Sequence, residues 1–114
     1  MSYSFFPVKR KIYIAGSMSA HADNNFNRDQ FNVVAEIIRE IGHVALNPAI
    51  LPDGLHESEY MSIGLSMLQV ADTIMMLPGW EISEGATVEK LYAEKVGKEV
   101  VCINSMEDIY LVLN

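Results

Sequence analysis

Short apolar runs alternate along this chain with longer segments in which apolar residues recur every three or four positions. The short runs are bounded by polar residues, Gly or Pro, which is typical of strands buried on both faces of a parallel sheet. They predict four strands, at residues 11–15, 43–46, 73–77 and 99–103. The longer segments each form one apolar stripe and predict helices at about 25–41, 58–71, 84–96 and 106–113.

The predicted strands and helices alternate strictly, with short connections between them. Such an order predicts a parallel sheet whose right-handed crossovers place helices on both faces. We therefore expect an α/β fold of three layers, built on a sheet of four to five strands. The 114 residues suffice for one core, so residues 11–114 are expected to form a single domain that follows an N-terminal arm, residues 1–10.

The segment from 72 to 89, DTIMMLPGWEISEGATVE, is expected to carry the function. It predicts a buried strand, a polar loop and the first turns of a helix, and ligands of open α/β sheets bind beyond the carboxyl ends of strands. Ser83 is expected to cap the helix, and Gly85 keeps the first turn free of bulk. A ligand could therefore approach the backbone of this turn closely.

Glu89 differs from other helical carboxylates in its neighbours. Three and four positions away along the helix it has only small or apolar groups: Gly85, Ala86, Tyr92 and Ala93. A single helical glutamate usually belongs to the solvated face. A carboxylate that lies in an apolar stripe, with a glycine one turn before it, is more typical of a functional side chain. We therefore interpret Glu89 as a candidate catalytic residue.

The loops after the first three strands are expected to meet at one edge of the sheet. The candidate binding residues in these strands and loops are Tyr13, Gly16, Ser17, Met18, Asn47, Pro48, Gly79, Trp80, Ser83 and Gly85. This mouth offers aromatic rings and carboxylates, with Arg28 as the one possible cation. Because anionic ligands need hydrogen-bond donors, the pattern favours a sugar or nucleoside over a polyphosphate.

Chemistry at a glycosidic bond usually needs two carboxyl groups. Asp72 precedes its strand and is expected at the opposite end of the sheet, ~17 Å from the mouth, as a structural cap. Glu81 is therefore the second catalytic candidate. Gly64 lies inside the second predicted helix, where Gly costs about 1 kcal/mol relative to Ala. Either a group packs closely against Gly64 or the position has drifted without consequence.

Charge and composition narrow the classes of function. The formal net charge is −7 and the one basic cluster is formed by residues 9–11, which disfavours binding to DNA or RNA. No apolar stretch approaches the ~20 residues of a membrane span, so no membrane partner is expected. The three histidines have no spacing typical of a metal site. Neither a metal nor a cofactor is therefore expected.

The single cysteine, Cys102, lies inside an apolar run and is expected to be a structural thiol. No disulfide can form within the chain, and the N-terminus does not have the order of a signal peptide. Both observations predict a cytoplasmic location. The apolar arm and the Met-rich second helix predict self-association, as a homodimer or larger assembly.

Three segments, KIYIAGSMS, GHVALNPA and ADTIMMLPGWEISEGATVEKLYAEKVGK, resemble small nucleoside 2-deoxyribosyltransferase-like proteins of phages and prophages. The resemblance covers nearly the whole chain, and its most specific part is the string LPGWExSxGAxxE. It implies a flavodoxin-like or Rossmann-like sheet, a homodimer or larger assembly, and cleavage of the N-glycosidic bond of a nucleoside or nucleotide by a glutamate nucleophile.

The resemblance places this nucleophile at Glu89, the last residue of GATVE. It implies that Tyr13 and the pair Gly16-Ser17 line the sugar and any 5′ group, and that Trp80 lines the base. Similar proteins usually carry an acidic residue near the position of Gly64, which this chain lacks. If that acid protonates the leaving base, this chain would be slow, would use Glu81, or would bind a nucleotide without cleaving it.

Three interpretations follow from the sequence. The first is an enzyme that cleaves or transfers at the N-glycosidic bond of a nucleoside or nucleoside monophosphate. The second is a non-catalytic module that binds a nucleotide in the same pocket. The third is a structural subunit whose pocket has no ligand.

Overall fold

The computed structural model describes residues 9–18 and 27–113. Its strands are β1 (Lys11–Ala15), β2 (Val44–Leu46), β3 (Thr73–Met76) and β4 (Glu99–Cys102). Its helices are α1 (Arg28–Ile41), α2 (Glu57–Val70), α3 (Glu84–Lys95) and α4 (Met106–Leu113), with short 3-10 turns at Pro48–Ile50 and Trp80–Ile82. The strands pair in parallel in the order β2-β1-β3-β4.

Two buried clusters lie on opposite faces of this sheet, because successive side chains of a strand point to opposite sides. Ile12 and Ile14 of β1 pack in a cluster with residues of α1 and α4. Tyr13 and Ala15 pack in the other, with residues of α2 and α3. The molecule therefore has three layers, and the predicted α/β sandwich with a parallel sheet and helices on both faces is confirmed, with four strands in the described part of the chain.

Strand β3 is buried at all four positions and lies between β1 and β4. Its sequence, TIMM, has no alternation of apolar and polar residues, which suits a strand covered by helices on both sides. The neighbouring strand β1 is also buried, apart from Lys11. These two central strands bring the loops that follow them to the middle of the carboxyl edge, where the candidate site lies.

The first helix begins later than its periodicity predicted. Asn27 adopts a left-handed conformation, with φ of 63°, which prevents the helix from extending toward residue 25. Its side-chain amide donates to the carbonyl oxygen of Ser17 at 3.1 Å. Residues 25 and 26, together with most of the predicted loop before them, lie outside the described residues. The same is true of residues 1–8 of the N-terminal arm.

Helix α2 begins one residue earlier than predicted, at Glu57. The residue before the helix is His56, whose backbone N–H donates to the carboxylate of Glu59 at 2.8 Å. Ser58, the first residue of the predicted helix, therefore lies inside α2. Strand β2 begins at Val44, since the backbone N–H of His43 donates to the carbonyl oxygen of Ile38 in α1 at 3.1 Å.

Polar side chains fasten the amino edge of the sheet. Oδ2 of Asp72 accepts the backbone N–H of Lys11 at 3.0 Å, and Oδ1 accepts the hydroxyl of Thr73 at 2.8 Å. The guanidinium of Arg10 donates to Thr73 at 3.1 Å and pairs with the carboxylate of Glu99. Asp72 is thus a structural cap at the end of the sheet opposite the candidate site, as predicted.

Two further findings concern the class of protein. None of the helices within residues 9–18 and 27–113 is long and apolar enough to cross a membrane. Cys102 is exposed at the end of β4, an edge strand that is covered less completely than β1 and β3. Cys102 was expected to be a structural thiol, and its exposure shows that it does not contribute to the buried core.

Candidate active site

Tyr13 and Glu89 form a buried pair between the sheet and the layer of α2 and α3. The Tyr13 hydroxyl donates to Oε2 of Glu89 at 2.6 Å, and the two residues are 2% and 8% exposed. Strand β1 directs Tyr13 toward these helices, and Glu89 is buried on α3 together with Ala86 and Ala93. The small neighbours that singled out Glu89 in the sequence thus let its carboxyl group reach the sheet.

Burial changes the acidity of both groups. The pKa of Glu89 is raised from 4.5 to about 7, because the carboxylate loses hydration, while the hydrogen bond from Tyr13 lowers it. Burial also raises the pKa of Tyr13 well above its usual 10.0, and the charge of Glu89 adds to this effect. Glu89 therefore titrates near neutral pH, while Tyr13 stays protonated and can remain the donor.

Gly64 of α2 lies directly against this pair. A Cβ atom at this position would be 2.7 Å from Oε2 of Glu89 and 2.8 Å from the Tyr13 hydroxyl oxygen, distances that real Cβ contacts do not reach. Of the two alternatives for Gly64, close packing is therefore the one that holds. The absence of a side chain here gives the carboxyl and phenol groups room to meet.

A cavity of about 780 Å³ opens beside the pair and is lined by both Tyr13 and Glu89. Its volume lies within the ~300–1,000 Å³ of small-molecule sites. The sequence-predicted binding residues that line it are Tyr13, Gly16, Met18, Pro48, Ser83 and Gly85. The loops after β1, β2 and β3 thus meet at one edge and share one cavity.

Ser83 caps α3 as predicted, since its Oγ accepts the backbone N–H of Ala86 at 3.1 Å. The first turn of α3 borders the cavity through Glu84 and Gly85. A Cβ at Gly85 would lie 3.4 Å from the terminal methyl group of Met61. The side chain of Met61 therefore approaches the bare backbone of this turn, where the sequence predicted that a ligand could come close.

Five predicted site residues do not line this cavity: Ser17, Asn47, Gly79, Trp80 and Glu81. Asn47 is buried, and its side chain forms hydrogen bonds with other residues of the protein. Its Oδ1 accepts the N–H of Ala49 at 3.0 Å, and its Nδ2 donates to Asn32 at 2.9 Å. Ser17 is 3% exposed, and its hydroxyl has no hydrogen-bond partner among the described residues.

Trp80, Glu81 and Gly79 belong to the turn between β3 and α3. The Trp80 ring packs against the α2/α3 core cluster, and the ammonium of Lys90 lies 5.4 Å from its centroid. Glu81 is exposed on the 3-10 turn. Gly79 has a φ of 83°, a conformation that glycine adopts without strain. The structure therefore places these three residues outside the cavity wall, whereas Ile82 of the same turn lines it.

The segment from 51 to 61 supplies a wall of the cavity that was not among the sequence-predicted site residues. Its lining residues are Leu51, Asp53, Gly54, Leu55, Glu57, Tyr60 and Met61. The Tyr60 hydroxyl donates to the carbonyl oxygen of Pro52 at 2.6 Å, which ties the loop to α2. A sequence signal was present, since Tyr60 lies one helical turn before Gly64 on the same face.

Arg28 brings the cavity its guanidinium group. Its Nη2 lies 2.7 Å from Oδ1 of Asp53 and donates to the carbonyl oxygen of Leu51 at 3.3 Å. The ion pair joins the start of α1 to the loop before α2. Within the described ranges, no group of three or more His, Cys, Asp or Glu residues is arranged to hold a metal ion.

The raised pKa of Glu89 predicts a pH-dependent gain in stability for the variant Glu89→Gln. The carboxyl group binds its proton more tightly in the folded than in the unfolded protein, so its contribution to stability is full below pH 4.5 and declines until about pH 7. Gln carries no charge to desolvate. We expect the free energy of unfolding of the variant, relative to wild type, to rise by about 2 to 3 kcal/mol between pH 5 and pH 8.

Urea unfolding of both proteins at the two pH values measures this difference. Comparison within the pair cancels the titration of all other groups. A constant difference between the two proteins at pH 5 and pH 8 would mean that Glu89 is not desolvated in the folded state.

The family model described as "Domain of unknown function (DUF4406)" matches residues 10–102. The match runs from the start of the sheet to the end of β4, and it includes Tyr13, Gly64 and Glu89. A comparison with curated proteins gives no match.

Proposed function

We propose that this chain, which belongs to the DUF4406 family, cleaves or transfers at the N-glycosidic bond of a (deoxy)nucleoside or nucleoside monophosphate. The observation that carries the proposal is the buried carboxyl group of Glu89, held by Tyr13 at the wall of a ligand-sized cavity. A carboxyl group with a pKa of about 7 is ionised in a large fraction of molecules at neutral pH. It can therefore act as a nucleophile there.

In the proposed reaction, the Glu89 carboxylate attacks the anomeric carbon of the sugar. A carbon–oxygen ester bond forms while the carbon–nitrogen bond breaks, and the electrons of the broken bond leave with the base. Water or a second base then attacks the same carbon and releases the carboxylate. Tyr13 holds one carboxyl oxygen at 2.6 Å, which fixes the orientation of the other before the attack.

The substrate class is supported by the lining of the cavity. Its lining groups include the phenols of Tyr13 and Tyr60, the apolar side chains of Met61 and Leu55, and the carboxylates of α2 and α3. Hydroxyl groups of a sugar can donate to carboxylates, and a base can pack on the apolar wall. The likeness to nucleoside 2-deoxyribosyltransferase-like proteins supports the same class, since the string LPGWExSxGAxxE ends at Glu89.

The alternative is a module that binds a nucleoside or nucleotide without cleaving it. One observation favours it: Gly64, which carries no acid, is the α2 residue that lies against the Tyr13–Glu89 pair. The described residues give Glu89 no partner other than Tyr13. A base that needs a proton to leave would then depart slowly.

A screen of nucleosides, deoxynucleosides and their monophosphates separates the two functions. Thermal stabilisation identifies what binds, because a ligand that prefers the folded state raises Tm, and chromatography of the same mixtures detects free base. Stabilisation with base release supports the enzyme, and stabilisation without release supports the module. If no compound raises Tm and none is cleaved, the proposed function is wrong.

The variant Tyr13→Phe is expected to displace the pH profile of base release toward higher pH. The hydrogen bond from Tyr13 lowers the pKa of Glu89, so its removal raises that pKa above about 7. A hydrogen bond to a charged group is worth about 1.5–3 kcal/mol, which corresponds to an acid limb of kcat/KM displaced by about one pH unit or more. The loss of activity should be about tenfold at pH 6 and smaller at pH 9.

Measurement of kcat/KM from pH 5 to pH 9 for both proteins tests this. The phenyl ring preserves the packing of the β1 side chain, so the pH dependence isolates the hydroxyl group. An equal loss at every pH would assign Tyr13 to substrate contact and not to the ionisation of Glu89.

A further inference from the structure

The cavity is unusually poor in positive charge. Among the described residues, four carboxyl groups line it, those of Asp53, Glu57, Glu84 and Glu89, against the single guanidinium of Arg28. All eight Lys and Arg residues of the chain lie within the described ranges 9–18 and 27–113. No other lysine or arginine of the same chain therefore contributes to the wall.

The one cation is already engaged by an acid. Nη2 of Arg28 lies 2.7 Å from the carboxylate of Asp53, so a ligand anion would have to compete with that carboxylate. Glu57 and Glu84 are exposed at the rim, where they repel an approaching anion and attract a cation. A phosphate group requires several donors or cations, and this cavity offers mainly acceptors.

The surroundings of Glu89 restrict the leaving group as well. Tyr13 is its only hydrogen-bond partner among the described residues, and Gly64 covers the pair from α2. Tyr13 is a poor proton donor to a departing base, since burial and the charge of Glu89 raise the pKa of its hydroxyl group. Among the described residues, no second carboxyl group forms a hydrogen bond with Glu89. The pair therefore contains no carboxylic acid that could protonate a departing base. A base that departs without a proton avoids this requirement.

We propose that the substrate is a nucleoside without a 5′-phosphate whose base is attached through a positively charged ring nitrogen, as in an N-glycosylpyridinium. The proposal rests on the function proposed above and specifies its substrate. The Glu89 carboxylate attacks the anomeric carbon, and the electrons of the carbon–nitrogen bond neutralise the ring nitrogen, so that the base leaves as a neutral molecule. Water then cleaves the glycosyl ester, and the proton that this water loses passes to solvent.

A positively charged ligand also prepares the nucleophile. An opposite charge close to a carboxyl group favours its ionised form, so binding of the cation lowers the pKa of Glu89 from about 7. At pH 7 binding should release up to half a proton to the buffer. Calorimetric titration in two buffers of different ionisation enthalpy measures this number directly.

Nicotinamide riboside is the probe for the proposed class. Its base is a pyridinium, and nicotinamide mononucleotide differs from it only by the 5′-phosphate. We expect kcat/KM for nicotinamide release to be at least tenfold higher for the riboside than for the mononucleotide. It should also exceed kcat/KM for base release from neutral nucleosides such as inosine and thymidine. In the same assays Glu89→Gln should release base about 10³-fold more slowly than the wild type, or slower still.

The outcomes separate this proposal from the broader function. Faster cleavage of the mononucleotide, or release from neutral nucleosides without release from the riboside, overturns the substrate assignment and leaves the glycosidic function standing. No release from any of these compounds overturns both.

Two rim substitutions test the charge argument independently of the chemistry. The double variant Glu57→Gln with Glu84→Gln should raise KM for nicotinamide riboside about tenfold at low salt and less at 0.5 M salt, because exposed charges are screened. Glu107→Gln removes an exposed carboxylate from α4, outside the cavity, and should leave KM unchanged. An unchanged KM in the double variant contradicts the role of rim charge.

Discussion

Base release by the variant Glu89→Gln is expected to fall by about 10³-fold or more, while binding of the nucleoside is retained. Gln is nearly isosteric with Glu, and its side-chain oxygen can still accept the hydroxyl hydrogen of Tyr13, which lies 2.6 Å from Oε2 in the wild type. The amide, however, cannot form the glycosyl ester. Removal of a nucleophile typically has an effect of this size or larger.

The experiment compares single-turnover base release with the ligand-induced rise in Tm for both proteins. Glu81→Gln is the matched control, since Glu81 carries the same functional group on the turn before α3 but does not line the cavity. It should keep wild-type activity within a factor of about two. Equal turnover by Glu89→Gln and wild type would exclude Glu89 as the nucleophile, and a large loss in Glu81→Gln would restore Glu81 as a second catalytic residue.

The variant Gly64→Ala is expected to lower base release by about 10²-fold, with a loss of at most about 2 kcal/mol in the free energy of unfolding. The added Cβ would lie 2.7 Å from Oε2 of Glu89, so the carboxyl end must move, and Tyr13 is held rigidly in the central strand β1. A displacement of about 1 Å in a reacting group can cost this factor. For stability, the strain of ~1–3 kcal/mol is offset by the ~1 kcal/mol that Ala contributes to the helix.

Ser66→Ala provides the comparison for Gly64→Ala. Ser66 lies on the same helix but is exposed, and its hydroxyl donates to the carbonyl oxygen of Ser62 at 3.0 Å. Alanine at position 66 should leave base release unchanged. If Gly64→Ala were as active as Ser66→Ala, the close approach of Gly64 to the pair would have no part in the chemistry.

The periodicity of the sequence was sufficient for the fold because each element obeys a local rule. The apolar run of residues 74–76 in β3 and the N-cap at Ser83 depend on residues close in the chain. The burial of Glu89 against the sheet also follows from residues close in the chain. Ala86 and Ala93, on the same face of α3, have small side chains that leave room for its carboxyl group. The exact start of α1, by contrast, depended on a hydrogen bond between segments that the periodicity does not connect, from Asn27 to Ser17.

The candidate site was harder to predict than the fold because its contacts join distant segments. Tyr13 and Glu89 are separated by 76 positions, and no local pattern indicates that the phenol meets the carboxyl group. Trp80 was expected in the mouth from its place after β3, and beside the base from the resemblance alone, but the ring packs against the apolar surface of α2 and α3. The wall formed by residues 51–61 likewise follows from the packing of α2.

The packing of Trp80 gives the protein an internal optical reporter. It is the only tryptophan of the chain, and the ammonium of Lys90, the residue that follows Glu89, lies 5.4 Å from its ring centroid. A cation at this distance interacts with the π electrons of the indole. Any rotation of α3 that accompanies occupation of the cavity must therefore alter the emission of Trp80, although the indole itself does not line the cavity.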